Sequence, residues 1–356
     1  MTKNKVNELF WKDKNVFLTG HTGFKGSWLS LWLHKLGANV TGYSLPAPTS
    51  PSLFEVARVE EVLTNSIIGD INNYKLLCES MRNANPEIVI HMAAQPLVRR
   101  SYNDPIETYQ TNVMGTVHIM EAARACSSIQ AILNVTTDKC YENKEWEWGY
   151  REYEPLGGHD PYSSSKACSE LVTAAYRDSF LKTLNINVAT ARAGNVIGGG
   201  DWAEDRLIPD LLKYLINQEQ VQIRNPSAIR PWQHVLEPLK GYLLLCENLV
   251  LKGKEYAQAW NFGPLDSEMK TVQSIVEHML EKWPNKTSGY VVTKQDEKTE
   301  ATILKLDSAK AANNLGWKPY WSLDTTLNSI IQWTLYYEDG KDMREVCREQ
   351  ISQYEN

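Results

Sequence analysis

The chain has 356 residues, 42% hydrophobic and 22% charged, which suits one large or two ordinary globular domains with a sizeable core. A formal net charge of −6 argues against a surface built to neutralise nucleic acid phosphates or anionic lipid. Small molecules are the expected partners, with no nucleic acid and no membrane among them.

The opening MTKNKVNELFWKDKNVF lacks the apolar core of a signal peptide, and no apolar stretch reaches the ~18 residues that read as a membrane span, so a cytoplasmic protein is expected. Cysteines at 78, 126, 140, 168, 246 and 347 lie far apart without a C-x-x-C pair, which fits reduced core thiols. His21, His91 and His234 lack any metal-ligand spacing, and no metal is expected.

Short β-branched runs, NVFLT (15–19), NVTGY (39–43), EIVIH (87–91), AILNVT (131–136) and INVATA (186–191), alternate with helical patterns. This predicts βαβ units and an α/β fold, a Rossmann-type doubly wound parallel sheet. Strands apolar throughout imply helices on both faces. After the first strand, LTGHTGFKGSW carries Gly20, Gly23 and Gly26, with Thr22, Phe24 and Lys25 between them. Glycines so placed permit a tight turn, let backbone N–H groups approach a pyrophosphate and aim a helix N-terminus at its charge. The following KGSWLSLWLHKLG reads as an apolar helical stripe that ends at Gly37.

The second strand ends in Tyr43 and Ser44 without the carboxylate that usually holds the adenosine ribose, and no Arg or Lys lies between 41 and 57 to hold a 2′-phosphate, which favours NAD over NADP. Asp70, in SIIGDI, reads either as a partner of the adenine amino group or as a turn aspartate. HMAAQP, with Ala93, Ala94 and Gln95, closes the fourth strand with residues small enough for a dinucleotide to lie against the backbone.

The fifth strand runs into TTDK, which puts Thr137, Asp138 and Lys139 at a carboxyl end, where α/β sheets place their chemistry. DPYSSSKACSE then supplies Tyr162 and Lys166 four apart, on one helical face. An ammonium beside a phenol lowers its pKa from ~10 toward neutrality and makes it a base during hydride transfer. Residues 142–161, rich in aromatics and acids, read as a flap over this site. The alternation breaks near residue 193, which predicts an NAD-binding domain over 1–193, with contributions from about 233–265, and a smaller C-terminal substrate-binding domain over 194–356.

The segments TGHTGFKGSWL, HMAAQPLVRRSY, VTTDKCYEN, PYSSSKACSE, ARAGNVIGGGDW and AIRPWQHVLEPLKGYL resemble the extended short-chain dehydrogenase/reductase family over nearly the whole chain, and within it the nucleotide-sugar 4,6-dehydratases. The resemblance implies an NAD-dependent C4 oxidation, loss of water across C5 and C6 and hydride return to C6, with CDP-glucose as substrate and a homodimer or homotetramer as assembly. It implies Thr137 as the hydroxyl at the sugar 4-OH, Tyr162 as base, Lys166 as its ribose-binding partner and Asp138 as the acid for the leaving 6-OH. Where the wider dehydratase pattern has a glutamate base at C5, this chain has Lys139. The resemblance also implies Arg230 on the diphosphate, Asn195 and Arg206 as further nucleotide contacts, and Arg224 or Asn225 at the base, although an exposed arginine is often merely solvated. A 4-epimerase would need no acid at Asp138, and a non-catalytic NAD-sensing protein would leave the Thr, Tyr and Lys set without a task.

Overall fold

The computed structural model describes residues 5–285, 289–293 and 303–356. Seven strands, β1 (Asn15–Thr19), β2 (Asn39–Ser44), β3 (Asn65–Ile68), β4 (Ile88–His91), β5 (Ala131–Val135), β6 (Asn187–Ala193) and β7 (Ala259–Phe262), form one sheet in the order β7-β6-β5-β4-β1-β2-β3, every pair parallel. Val16 of β1 aligns with Val40 of β2 on one side and Ile88 of β4 on the other. The winding reverses between β1 and β4, which opens a crevice beyond their carboxyl ends.

The longer helices are α1 (Phe24–Lys35), α2 (Tyr74–Ala84), α3 (Gly115–Arg124), α4 (Pro161–Ser179), α5 (Leu207–Ile216), α6 (Leu236–Leu251), α7 (Val272–Lys282), α8 (Leu323–Glu338) and α9 (Met343–Glu355). The apolar strands split by the two-residue period of the pleat. Val16, Leu18, Ile90 and Leu133 pack with Trp28 of α1, Leu243 of α6 and Ile351 of α9, whereas Phe17, Val89 and Ile132 pack with Leu77 of α2 and Met120 of α3.

The apolar stripe expected on α1 is wider than a stripe: Gly26 to Leu33 are buried without interruption. The reason is α9, which returns from the far end of the chain to cover the second face, with Trp32 Nε1 donating to Glu355 Oε1 at 2.8 Å. Gly37 ends this region with φ +79°, a conformation that favours glycine.

A third apolar cluster joins α5, α7 and α8 through Leu211, Leu215, Ile275, Met279, Leu327 and Ile330. Short strand pairs lie around it, Val221–Ile223 with Tyr290–Val292 and Ile229–Arg230 with Lys270–Thr271. This smaller unit faces the carboxyl ends of β5 and β6. Residues 142–161 do not hang free as a flap. Tyr141, Trp146 and Tyr150 stack with centroids 5.0–5.1 Å apart, Tyr150 bridges to Leu306, and Asn143 Nδ2 donates to the Ile303 carbonyl. The segment is braced by its own small core.

Candidate active site

The glycine loop is built for close approach. Gly20 has φ +79°, and a Cβ there would lie 2.9 Å from the Ala93 amide nitrogen; a Cβ at Gly26 would lie 2.0 Å from the Gly20 carbonyl oxygen. Gly23 caps α1 without a side chain, so the first-turn N–H groups have no side-chain partner there. The loop side chains serve other ends. Thr22 Oγ1 contacts Ser44 Oγ and donates to the Leu45 carbonyl, each at 2.9 Å, which ties the loop to the end of β2. Phe24 is half-buried and packs by Gly198.

Several expected cofactor positions have side chains engaged within the protein. Tyr43 is fully buried, stacks on Phe17 and donates its hydroxyl to the Asp70 carbonyl at 2.8 Å. Only its backbone stays at the crevice, its carbonyl accepting from Gly20 N–H. The exposed Asp70 accepts from the Asn72 amide at 2.8 Å, the geometry of a turn aspartate. Gln95 spends its amide on Thr108 and the Leu97 carbonyl, while Ala93 N–H donates to Thr19 Oγ1 and Ala94 is half-buried.

Lys25 reaches further than its place in the loop suggests. Its Nζ donates to Tyr242 Oη at 3.0 Å. Burial, with the like charges of Lys166 and Arg206, lowers its pKa to about 7 against the pull of Asp138.

At the end of β5, Thr137 accepts the Lys139 N–H and opens a short helical turn over Asp138–Cys140, with its hydroxyl donating to Asp138 Oδ1 at 3.0 Å. Asp138 is 2% exposed, and its Oδ2 is buried with no hydrogen-bond partner. Burial raises its pKa against the opposing effects of Lys139, Thr137 and Arg230. The shift favours the protonated carboxyl over the carboxylate. The same Oδ2 lies where a Cβ on Gly194 would be, 2.1 Å away, so Gly194 is the residue that makes room for it. Lys139 is half-buried beside it.

Asp160 caps α4 by accepting the Ser163 N–H, Pro161 fills the first helical position, and Tyr162 N–H donates to Ser101 Oγ. One turn on, Lys166 Nζ donates to the Val135 carbonyl at 3.2 Å, joining α4 to β5. Thr137, Asp138, Tyr162 and Lys166 are thus all buried at one strand end. The lowering expected from Lys166 is not what the chain alone provides. Burial pushes the Tyr162 phenol up to about 12, Thr137 and Arg206 pull it down, Asp138 pushes it up, and Lys166 is not among the main influences.

From the smaller unit, Arg206 caps α5, pairs with Asp201 at 2.8 Å and extends its charge to Tyr162. Arg230 acts on Asp138 from Ile229–Arg230, and Asn195, with φ +20°, accepts through its carbonyl from Gln233 N–H. Arg224 pairs with Asp205, both 41% exposed, and Asn225 Oδ1 accepts from Ser227. No group of three or more His, Cys, Asp or Glu side chains able to hold a metal occurs among the described residues.

Three buried groups escaped the sequence reading: Gly194, Glu170 and Arg192. Glu170 was within reach, since it follows Lys166 by four residues on the same helical face. Gly194 carried no signal, because its closeness to Asp138 arises only when β5 and β6 pair.

Residues 17–330 match the family model described as GDP-mannose 4,6 dehydratase. The chain is 52% identical over 354 residues, 98% of each chain, to the CDP-glucose 4,6-dehydratase of Salmonella typhimurium. Among solved structures, the dTDP-glucose 4,6-dehydratase of Streptomyces venezuelae with NAD and TYD bound superposes with a TM-score of 0.78 at 22% identity, covering 92% of this chain and 99% of that one. The UDP-glucose 4-epimerase of Thermotoga maritima reaches the same TM-score at 20% identity, with the same coverage. These two likenesses are of fold.

Proposed function

The chain belongs to the GDP-mannose 4,6 dehydratase family, and from that premise we propose that it converts CDP-glucose to CDP-4-dehydro-6-deoxyglucose, using NAD. The observation that carries the dehydratase reading over a 4-epimerase is Asp138, a carboxyl buried at the strand end beside Thr137 and Tyr162, whose pKa burial raises and whose Oδ2 has no hydrogen-bond partner. An epimerase needs no acid at C6; an elimination needs one where the 6-OH departs.

NAD fits the glycine cradle and the uncapped start of α1, and when bound would accept a hydride from C4 and return it to C6. Gly20, Gly23 and Gly26 would hold its pyrophosphate, and Lys166 its ribose. Thr137 and Tyr162 hold and deprotonate the sugar 4-OH, Asp138 gives its proton to the leaving 6-OH, and Lys139 stands at C5. Arg206 and Arg230 face the diphosphate. Arg224, engaged by Asp205, reads the base together with Asn225.

The enzyme works in the cytoplasm as a homodimer. No helix among the described residues is long and apolar enough to cross a membrane. Ile106, Met114 and Leu171, exposed at 70%, 45% and 59%, lie on elements that pack on one another and are apolar side chains that a second copy would cover. Incubation with NAD and each of CDP-, dTDP-, UDP- and GDP-glucose tests the reading. A 4-keto-6-deoxy product from the CDP sugar alone supports it; 4-epimerisation or no turnover of any of them counts against it.

A further inference from the structure

Beneath the reacting residues lies a buried ion pair with no part in the chemistry described above. Glu170 of α4 and Arg192 of β6 have side chains 3% and 4% exposed. The arginine grips the carboxylate as a fork, Nε to Oε1 at 2.9 Å and Nη2 to Oε2 at 2.8 Å. Thr136 donates to Oε1, and Thr190 donates to Oε2 at 2.7 Å, so the carboxylate accepts four hydrogen bonds. Burial alone would raise its pKa; Arg192 and the two hydroxyls outweigh that and hold it below the usual range.

Three members of this network sit next to the reacting residues or the segment beside them. Thr136 precedes Thr137 and Asp138, and Glu170 follows Lys166 by one turn. Arg192 uses its remaining Nη1 on Tyr141 Oη, at 2.8 Å, and on the Glu152 carbonyl, which anchors the braced segment beside the site. A buried ion pair is weak evidence of stability as such, since well-packed apolar residues often serve equally well. Its retention asks for another reason, and its position supplies one.

We propose that the Glu170–Arg192 pair is a positioning element of the reaction, which locks the strand end bearing Thr137 and Asp138 to the helix bearing Tyr162 and Lys166 and supplies the counter-charge to Lys166. The inference rests on the dehydratase reading. Lys166 is surrounded by few other compensating groups. Tyr162 shares its helix; His91, at the end of β4, is held neutral by burial and by Lys166 itself; Lys25 from α1 brings like charge. Burial lowers Lys166 to about 8, and Glu170, followed by Cys140, opposes that fall. Without the carboxylate, Lys166 loses its proton at lower pH.

The test compares the pH dependence of kcat for CDP-glucose in wild type, Glu170→Gln, Arg192→Lys and the double variant Glu170→Met/Arg192→Met. The double variant removes both charges and leaves no buried unpaired charge, so it keeps the test open if the single glutamine variant fails to fold. The expected result is a basic limb displaced downward by about one pH unit or more in both variants lacking Glu170, with the KM for CDP-glucose within about twofold of wild type. Arg192→Lys, which keeps the carboxylate paired, retains the wild-type limb. An unmoved limb in the folded double variant overturns the proposal and makes the pair a packing feature. Absence of CDP-glucose turnover in the wild type counts instead against the function on which it rests.

Discussion

At the scale of single residues, the proposed reaction turns on a phenol and a carboxyl that meet at one strand end but have different tasks. Tyr162 is buried, and burial holds its phenol neutral in the free chain against the pull of Thr137 and Arg206. Tyr162→Phe should retain CDP-glucose binding by calorimetry and lose the first oxidation by about 10²- to 10⁴-fold, the usual cost of a lost general base. Near wild-type appearance of reduced cofactor would remove Tyr162 from the chemistry. Asp138 depends on a residue distant in sequence that the pairing of β5 with β6 brings beside it: a Cβ on Gly194 would lie 2.1 Å from Oδ2 and 2.6 Å from Cγ, with Pro231 at 3.0 Å. Gly194→Ala must therefore move the carboxyl. A displacement of this order costs about 10²-fold when it misaligns a reacting group. Oxidation at C4 should persist while elimination slows, so that single-turnover absorbance shows reduced cofactor accumulating. Wild-type elimination in Gly194→Ala would mean that the position of Asp138 is unimportant.

At the scale of elements, the opening of α1 combines two opposing demands. Its uncapped N-terminus and three glycines suit an anion, yet Lys25 in the first turn is half-buried within reach of the like charges of Lys166 and Arg206. Its pKa in the fold, about 7, lies below the ordinary 10.5. Between those values the unfolded chain holds a proton that the folded chain lacks, so stability rises with pH across that window; below pH 7 the full penalty remains. Lys25→Met in the cofactor-free protein should therefore raise Tm relative to wild type most at pH 7 and progressively less toward pH 10. A pH-independent difference would show that Lys25 is not desolvated. The helix and strands around this loop were legible in the sequence, because apolar runs, loop glycines and Tyr162–Lys166 spacing are local signals. What was not legible depended on pairing at a distance. The full burial of α1 requires α9, more than 300 residues later, and the reading of 142–161 as a flap missed its bracing against 303–306. Tyr43 looked available at a strand end, but Phe17 and the Asp70 carbonyl claim it.

At the scale of the whole molecule, the C-terminal helix closes the structure on a buried carboxyl. Glu237 at the start of α6 accepts from the Tyr320 and Trp321 amides at 2.9 and 2.7 Å and from Tyr354 Oη, thereby joining α6, the segment before α8 and α9. Burial raises its pKa from 4.5 to about 7 against those hydrogen bonds. The folded chain keeps a proton that the unfolded chain has lost between those values, so stability falls as pH rises from 4.5 to 7 and is level above. Glu237→Gln should gain in Tm relative to wild type over that interval, by thermal scans at matched ionic strength; a constant difference would place the carboxyl in a polar setting. Closure of this kind also fixes the smaller unit over the ends of β5 and β6, where one sugar must be oxidised, dehydrated and reduced without leaving. The most direct measurement of that internal cycle uses CDP-glucose carrying deuterium at C4 in ordinary water, mixed with unlabelled CDP-glucose carrying a separate mass tag in the nucleotide, with the products read by mass spectrometry and NMR. The expected product carries the C4 deuterium at C6 of the same molecule and a solvent hydrogen at C5. Deuterium scrambled onto the tagged molecules, or lost to solvent, would contradict a single closed cycle at Thr137, Asp138, Tyr162 and Lys166.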